Sequence, residues 1–230
     1  VEEQPVVTPL QAESRVLVVG ASRGIGFEFV KQLLSRGCQV VATHRGERPE
    51  KALQALAAAT SGEAGGEAGR LSFVRLDVAS EESVTAAAGE LRSRGLTLTH
   101  IIHNAGIYGP ANSLDGSARH GRKASPPVTR DMMLKVFEVN AIGPLLVAQK
   151  FAQLLSAPSG QIPILAILTS KVGSVDDNGS GGAYAYRASK SACNIVAKSL
   201  YVDLRSEDRC TVVLLHPGYV RTDMTDGKGL

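Results

Sequence analysis

The sequence predicts an α/β protein, a doubly wound and mostly parallel sheet of about six or seven strands with helices on both faces. Three observations carry that expectation. Short β-branched and aliphatic runs alternate with amphipathic segments along most of the chain, the order in which parallel strands and crossover helices follow one another. Several of those runs are apolar at every position, as strands covered on both faces are. The first of them, residues 16–19, ends in glycine and passes without a linker into a helical pattern.

Taken in order, residues 1–14 start at Val1 and carry prolines and acids without periodicity, which predicts a flexible extension left by processing or trimming. Residues 15–230 are expected to form one domain. Residues 16–19 are its first strand, and Phe27, Val30, Leu33 and Leu34 stripe a helix over 27–34. A second strand follows at 38–43, then an alanine-rich helix at 49–59 with Leu53 and Leu56 inward, and a low-complexity surface insertion at 61–69. The third strand is 71–76. Ser80 is placed to cap the next helix, with Glu81 and Glu82 favourable in its first turn. Residues 98–103 make a fourth strand, and 108–127 a polar connection long enough to be functional or mobile. The helical pattern over 128–155 is more apolar than one side of a sheet requires, which a subunit contact or a buried core helix would explain. A fifth strand at 162–169, a long helix at 184–205 and a sixth strand at 211–215 complete the alternation.

Composition excludes several classes. Hydrophobic residues at 43% and charged residues at 20% are those of an ordinary globular protein. A net charge of +3 is too small to argue for a nucleic-acid partner, and the basic stretch with Arg119, Arg122 and Lys123 reads as a solvated loop. No apolar run is long enough for a membrane span. Cys38, Cys193 and Cys210 are odd in number and scattered, so neither a disulfide framework nor a zinc site is indicated and a reducing compartment fits.

Chemistry-bearing residues gather where strands end. Gly20, Gly24 and Gly26 form a turn whose amides, with the positive end of the following helix, suit a pyrophosphate; glycine turns also serve as tight connections without a ligand. Tyr186 and Lys190 are four apart on one helix face, where an ammonium favours the phenolate and lowers the tyrosine pKa; alone, such a pair is equally an ordinary surface pair. Ser170 ends the fifth strand, as Gly106 follows the fourth and Gly20 the first.

These motifs occur in a fixed order: Gly20-Ala21-Ser22-Arg23-Gly24-Ile25-Gly26, Asn104-Ala105-Gly106, Asn140, Ser170, Tyr186 with Lys190, and Pro217-Gly218-Tyr219-Val220-Arg221-Thr222. Together they resemble the classical short-chain dehydrogenase/reductase family, from Arg15 to about Thr222, and the run from Gly181 to Lys190 is most like the carbonyl reductases grouped with the Sniffer and C-factor proteins. The resemblance implies a Rossmann-type fold and an NADP(H)-dependent enzyme that reduces a ketone or aldehyde carbonyl to an alcohol. It implies Tyr186 as the acid, Ser170 as the hydrogen-bonding partner of the carbonyl oxygen, Lys190 on the ribose hydroxyls and depressing the Tyr186 pKa, and Asn140 anchoring a water in the proton path. Cofactor contacts are expected from Gly20, Ser22, Arg23, Gly24, Ile25, Gly26, His44, Arg45, Asp77, Val78, Asn104, Ala105, Gly106, Tyr186, Lys190, Pro217, Gly218, Val220 and Thr222. No acid stands at the end of the second strand, which reads Thr43-His44-Arg45; with Arg23 in the turn, a 2′-phosphate and hence NADP(H) is expected. No metal is expected.

The sequence departs from the family in three places. Ser170 and Tyr186 are a few residues further apart than is common, which leaves Ser174 as a rival serine. His103 stands where the family often has Asn and reads as structural. The chain ends at Leu230, where the family continues through a lid, a helix and a seventh strand, so the sixth strand is expected near a sheet edge. The resemblance further implies a homodimer or homotetramer through the helices at 128–155 and 184–205, a small-molecule carbonyl substrate, and a cytoplasmic location, or an organelle after removal of a targeting peptide. The alternatives are a catalytically weak NADP(H)-binding regulatory protein, and an enzyme of the same fold acting mainly as an alcohol dehydrogenase or on acyl-carrier substrates.

Overall fold

The computed structural model describes residues 6–60, 69–118, 121, 123–205 and 210–225. Arg119 and Arg122 of the basic stretch, and most of the 61–69 insertion, lie outside them. The strands in chain order are β1 (Val6–Val7), β2 (Arg15–Val19), β3 (Gln39–His44), β4 (Leu71–Arg75), β5 (His100–His103), β6 (Gln161–Ile162), β7 (Ile164–Leu168) and β8 (Thr211–Leu215). The helices are α1 (Gly24–Ser35), α2 (Lys51–Thr60), α3 (Glu81–Ser93), α4 (Arg130–Phe137), α5 (Gly143–Phe151) and α6 (Tyr184–Arg205).

Six strands form one parallel sheet in the order β4-β3-β2-β5-β7-β8. The apolar run of β2 explains its central place. Leu17 and Val19 join the core under α3, α5 and α6, while Val16 and Val18 join the core under α1 and α2. Strand order reverses between β2 and β5, so the crevice at their carboxyl ends, beside Gly20 and Asn104, is where such sheets take ligands.

Several local features follow from identifiable residues. Ser80 caps α3 as expected, its hydroxyl accepting from the Ser83 amide. The single helix expected over 128–155 is three pieces: α4, a π-helical turn at Glu138–Ile142, and α5. Pro144 has no N–H to give the carbonyl of Asn140 four residues back, and the Gly143 amide bonds the Glu138 carbonyl instead, five residues back. The expected strand at 162–169 is likewise divided, at Pro163: Ile162 belongs to β6, which pairs with β1, and Ile164–Leu168 to the main sheet.

Residues 6–14, expected as a flexible extension, instead pack against the domain. Thr8 is buried, donates its amide (3.0 Å) and hydroxyl (2.8 Å) to the Ile162 carbonyl, and its own carbonyl lies 3.0 Å from His100 Nε2. At the other side β8 is the sheet's edge, and Val213, Leu214 and Leu215 are partly exposed there. Cys38, Cys193 and Cys210 are all free and buried. Among the described residues no helix is long and apolar enough to cross a membrane.

Candidate active site

The glycine turn between β2 and α1 is built so tightly that side chains would not fit. Gly20 has φ +80° and Gly24 φ +55°, left-handed values that favour glycine. A Cβ on Gly20 would lie 2.8 Å from the Ala105 backbone, and one on Gly26 would lie 2.0 Å from the Gly20 carbonyl oxygen. The Asn104 side chain closes the turn, its amide donating to the Gly20 carbonyl at 2.8 Å, and the Gly20 amide donates to Thr43 Oγ1 at 2.9 Å. Arg23 enters α1 with an extended backbone and no side-chain cap, which leaves the first amides of the helix available to an anion. Ser22 and Ile25 sit half-buried on the same turn.

The rim of this cradle carries the remaining expected contacts. His44 is buried, its Nδ1 3.0 Å from the Gly46 carbonyl and its ring edge-on to Phe73, whereas Arg45 is exposed and has its carbonyl held by Arg75. Asp77 is held by Ser83, and Val78 is packed so closely by the π-turn segment that a Cβ on Gly143 would meet it at 3.0 Å. Pro217, Gly218, Val220 and Thr222 lie on an exposed segment that crosses the turn: the Thr222 methyl is 3.4 Å from where a Cβ of Gly24 would be. That segment brings Asp223 to 3.8 Å from Arg23; nothing in the spacing of the sequence signals this exposed pair.

Asn140, Ser170, Tyr186 and Lys190 converge beyond Gly106. The π-turn places Asn140 inward, 1% exposed, where its Oδ1 accepts from the Ile107 amide at 2.8 Å and its Nδ2 donates to the Ile107 carbonyl at 2.8 Å and to Ser189 Oγ at 3.0 Å. A Cβ on Gly106 would lie 3.3 Å from Asn140 Oδ1 and 3.6 Å from Lys190 Nζ. Ser170 caps a short 3-10 turn, Lys171–Gly173, after β7. Gly173 lets that turn press onto α6, for a Cβ there would stand 2.8 Å from the Lys190 backbone. The Ser170 hydroxyl thereby comes within hydrogen-bonding reach of the Tyr186 phenol. Ser174, the rival serine, is exposed and accepts from the Asp177 amide in its own loop.

The electrostatics differ from the expectation at one point. Lys190 was expected to lower the Tyr186 pKa. Instead burial pushes the phenol above its usual range; the Ser170 contact draws it back down, and neighbouring Tyr108 adds to the rise. Lys190 is 5% exposed, donates to the Leu168 carbonyl at 2.9 Å and has Nζ 5.9 Å from the Tyr186 ring centre; burial in turn pulls its own pKa down. In this protein Tyr186 is therefore held as a protonated phenol, the form an acid needs.

Three residues that the sequence reading passed over complete the site. The Tyr108 ring lies 4.8 Å from that of Tyr186. Asn112 Oδ1 accepts from the Tyr184 amide at 2.9 Å and anchors the 108–127 connection to the start of α6. Arg187 donates to the Val172 carbonyl at 3.4 Å and to Ser180 Oγ at 2.7 Å, tying the Ser170 turn to the loop before α6. Polar residues in a long connection carry no periodic signal, which hides Asn112; Arg187, next to Tyr186, was visible as a lone cation.

A parallel sheet with a glycine cradle at its switch point and a Ser-Tyr-Lys cluster beside it defines an oxidoreductase that works on a dinucleotide. The chain belongs to the short chain dehydrogenase family, whose sequence model matches residues 14–229. Among curated relatives it is similar to 1-hydroxy-2-glutathionyl-2-methyl-3-butene dehydrogenase of Rhodococcus sp. (strain AD45), 36% identical over 92% of this chain and 80% of that protein. Among solved structures it is similar to the carbonyl reductase Sniffer of D. melanogaster, with TM-score 0.77, 28% identity, and 93% of this chain and 84% of that one covered. A carbonyl reductase from Pseudomonas aeruginosa PAO1 in complex with NADP is 31% identical, with TM-score 0.68 over 90% of this chain and 84% of that one.

Proposed function

We propose that this short-chain dehydrogenase/reductase reduces a ketone or aldehyde to the alcohol with NADPH. The observation that carries the reading is the Ser170–Tyr186 contact, held over Lys190 at the carboxyl end of β7. The glycine turn fits a dinucleotide, since Gly20 and Gly26 let the backbone close tightly against Ala105 and Asn104 and the first amides of α1 have no side-chain cap. Gly20, Ser22, Gly24, Ile25 and Gly26 would hold the pyrophosphate, Asp77 and Val78 would border the adenine, and Asn104, Ala105, Gly106, Pro217, Gly218, Val220 and Thr222 would line the remainder. The absence of an acid beside His44 and Arg45 at the end of β3, together with Arg23, supports the 2′-phosphorylated form. Bound NADPH would supply the hydride.

The chain's own residues would do the rest. Ser170 hydrogen-bonds the carbonyl oxygen and holds its position. Tyr186 gives its phenolic proton to that oxygen as the carbonyl carbon is reduced, and the alcohol leaves. Lys190, with Nζ 5.9 Å from the centre of the Tyr186 ring, would bind the ribose hydroxyls. Asn140 keeps the Ile107 and Ser189 segments fixed beside the path by which the proton is replaced. The Rhodococcus relative is named a dehydrogenase and the two structural neighbours carbonyl reductases, the two directions of one reaction.

The test is NADPH consumption against a panel of aldehydes, quinones, α-dicarbonyls and cyclic ketones, with Tyr186→Phe alongside. Turnover should fall by about 100-fold or more in the variant while NADPH binding survives. Undiminished turnover in Tyr186→Phe would remove the tyrosine from the chemical step.

A further inference from the structure

A helix leaves its first amides unsatisfied, and the residue before it ordinarily supplies an acceptor from an extended backbone. The start of α6 has no such residue. Gly181, Gly182 and Ala183 precede Tyr184 with φ +59°, +65° and +46°, and none of them carries a side-chain acceptor. Such angles are accessible to glycine and strained for alanine. The acceptor comes from a distant part of the chain: Asn112 Oδ1, 72 residues away, takes the Tyr184 amide at 2.9 Å. Asn112 is 6% exposed, and its Nδ2 donates to the Pro110 carbonyl at 2.9 Å, which holds the side chain in that orientation.

The same stretch, residues 107–112, meets the reaction centre at two further points. Ile107 is bound through both its amide and its carbonyl to the Asn140 side chain, each at 2.8 Å. The Tyr108 ring lies 4.8 Å from that of Tyr186. Gly109 then turns with φ +75°, so close to α4 that a Cβ there would lie 2.5 Å from Val136 Cγ2. The stretch is thus pinned at one end by Asn140 and at the other by the first residue of α6, and the ring beside Tyr186 sits between the two pins. Tyr186 follows the amide that Asn112 holds by two residues, roughly 3 Å along the helix axis. A loss at this second pin therefore frees the start of α6 to move against Tyr108.

We propose that Asn112 is a positioning residue for the catalytic acid: by capping α6 from outside the helix it fixes where Tyr186 stands between Ser170 and Tyr108. The proposal rests on the reductase reading above, which makes Tyr186 the acid. The groups that face the Tyr186 phenol are Ser170, Tyr108, Cys193 and Lys190, and substitution of Asn112 changes none of them. What it removes is the tie between residues 107–112 and α6, and with it part of the burial that raises the pKa of the phenol.

The test compares the wild type with Asn112→Ala and with Asn112→Asp, which keeps an acceptor oxygen as effective at a helix start as that of asparagine. The first readout is steady-state kinetics with NADPH and an aldehyde or quinone that the wild type reduces. Asn112→Ala should lower kcat by about tenfold or more and leave KM for NADPH unchanged. It should also move the alkaline fall of kcat/KM to lower pH, because reduction needs the protonated phenol and a less buried phenol ionises earlier. Asn112→Asp should stay within about threefold of the wild type. The second readout is the ultraviolet absorbance of tyrosinate at about pH 10, each protein against its Tyr186→Phe counterpart. Tyr186 should be ionised further in Asn112→Ala than in the wild type. An unchanged kcat and pH profile in Asn112→Ala, or an equal loss in Asn112→Asp, overturns the proposal and leaves the reductase reading standing. Failure of Asn112→Ala to fold, with Asn112→Asp native by circular dichroism, makes Asn112 a structural cap and overturns it as well. If the wild type reduces no carbonyl compound, the reductase reading fails, while the absorbance still decides whether Asn112 holds Tyr186 in place.

Discussion

His103 ends β5 only 1% exposed, and its Nε2 has no hydrogen-bond partner among the described residues. Burial, and secondarily the charge of Lys190, lower its pKa to about 3. The folded protein thus keeps this ring neutral where an unfolded chain would protonate it, from about pH 6.5 downward. Stability from this group is complete above that pH and is lost as the pH falls towards 3, at up to about 1.4 kcal/mol per pH unit. His100, whose pKa burial also lowers, acts in the same sense. Urea unfolding of the wild type and His103→Asn between about pH 7.5 and 5 should show a flatter acid side for the variant; parallel curves would reject the assignment. Among single residues, Ser170 and Tyr186 were legible because each stands at a strand end or on a helix face with its partner at fixed spacing. The rise in the Tyr186 pKa was not, because it depends on burial and on Tyr108, far apart in sequence.

Elements bring together what single residues cannot. Arg23 at the entry of α1 and Arg45 after β3 both lie exposed on the rim of the cradle. The pairing of Arg23 with Asp223, at 3.8 Å and with both side chains 57% exposed, is of the weak surface kind that a phosphate can displace. Replacing both arginines by alanine should lower the NADPH-to-NADH ratio of kcat/KM by about tenfold or more, and an unchanged ratio would refute their role. The helix over Tyr184–Arg205 and the strand over Thr211–Leu215 have the limits that apolar spacing predicted. The break at Pro163 and the π-turn ahead of Pro144 escaped, because a window of hydrophobic periodicity passes over one residue that lacks an N–H. Those prolines were the available signal, and the second of them turns Asn140 into the site.

At the scale of the whole molecule, the apolar excess over 128–155 and 184–205 is partly on the outside: Leu134, Ile142 and Leu145 in the first stretch and Ile195 and Val202 in the second are exposed. We infer that these helices pair with a second copy of the chain to give a dimer or tetramer. Sedimentation should show an oligomer at micromolar concentration that Leu145→Glu with Ile195→Glu reduces to monomer; a wild type that sediments as a monomer would reject the assembly. The parallel sheet with helices on both faces followed from the alternation of patterns, whereas the strand order came only from the structure and the docking of residues 6–14 rests on Thr8 and His100, two polar residues 92 positions apart. The burial of all three cysteines, in a chain without tryptophan, has a practical consequence. A thiol placed at Ser117, or an indole placed near Tyr108, would be a solitary chemical or fluorescent reporter, so that movement of the 108–127 connection could be followed through a catalytic cycle against a silent background.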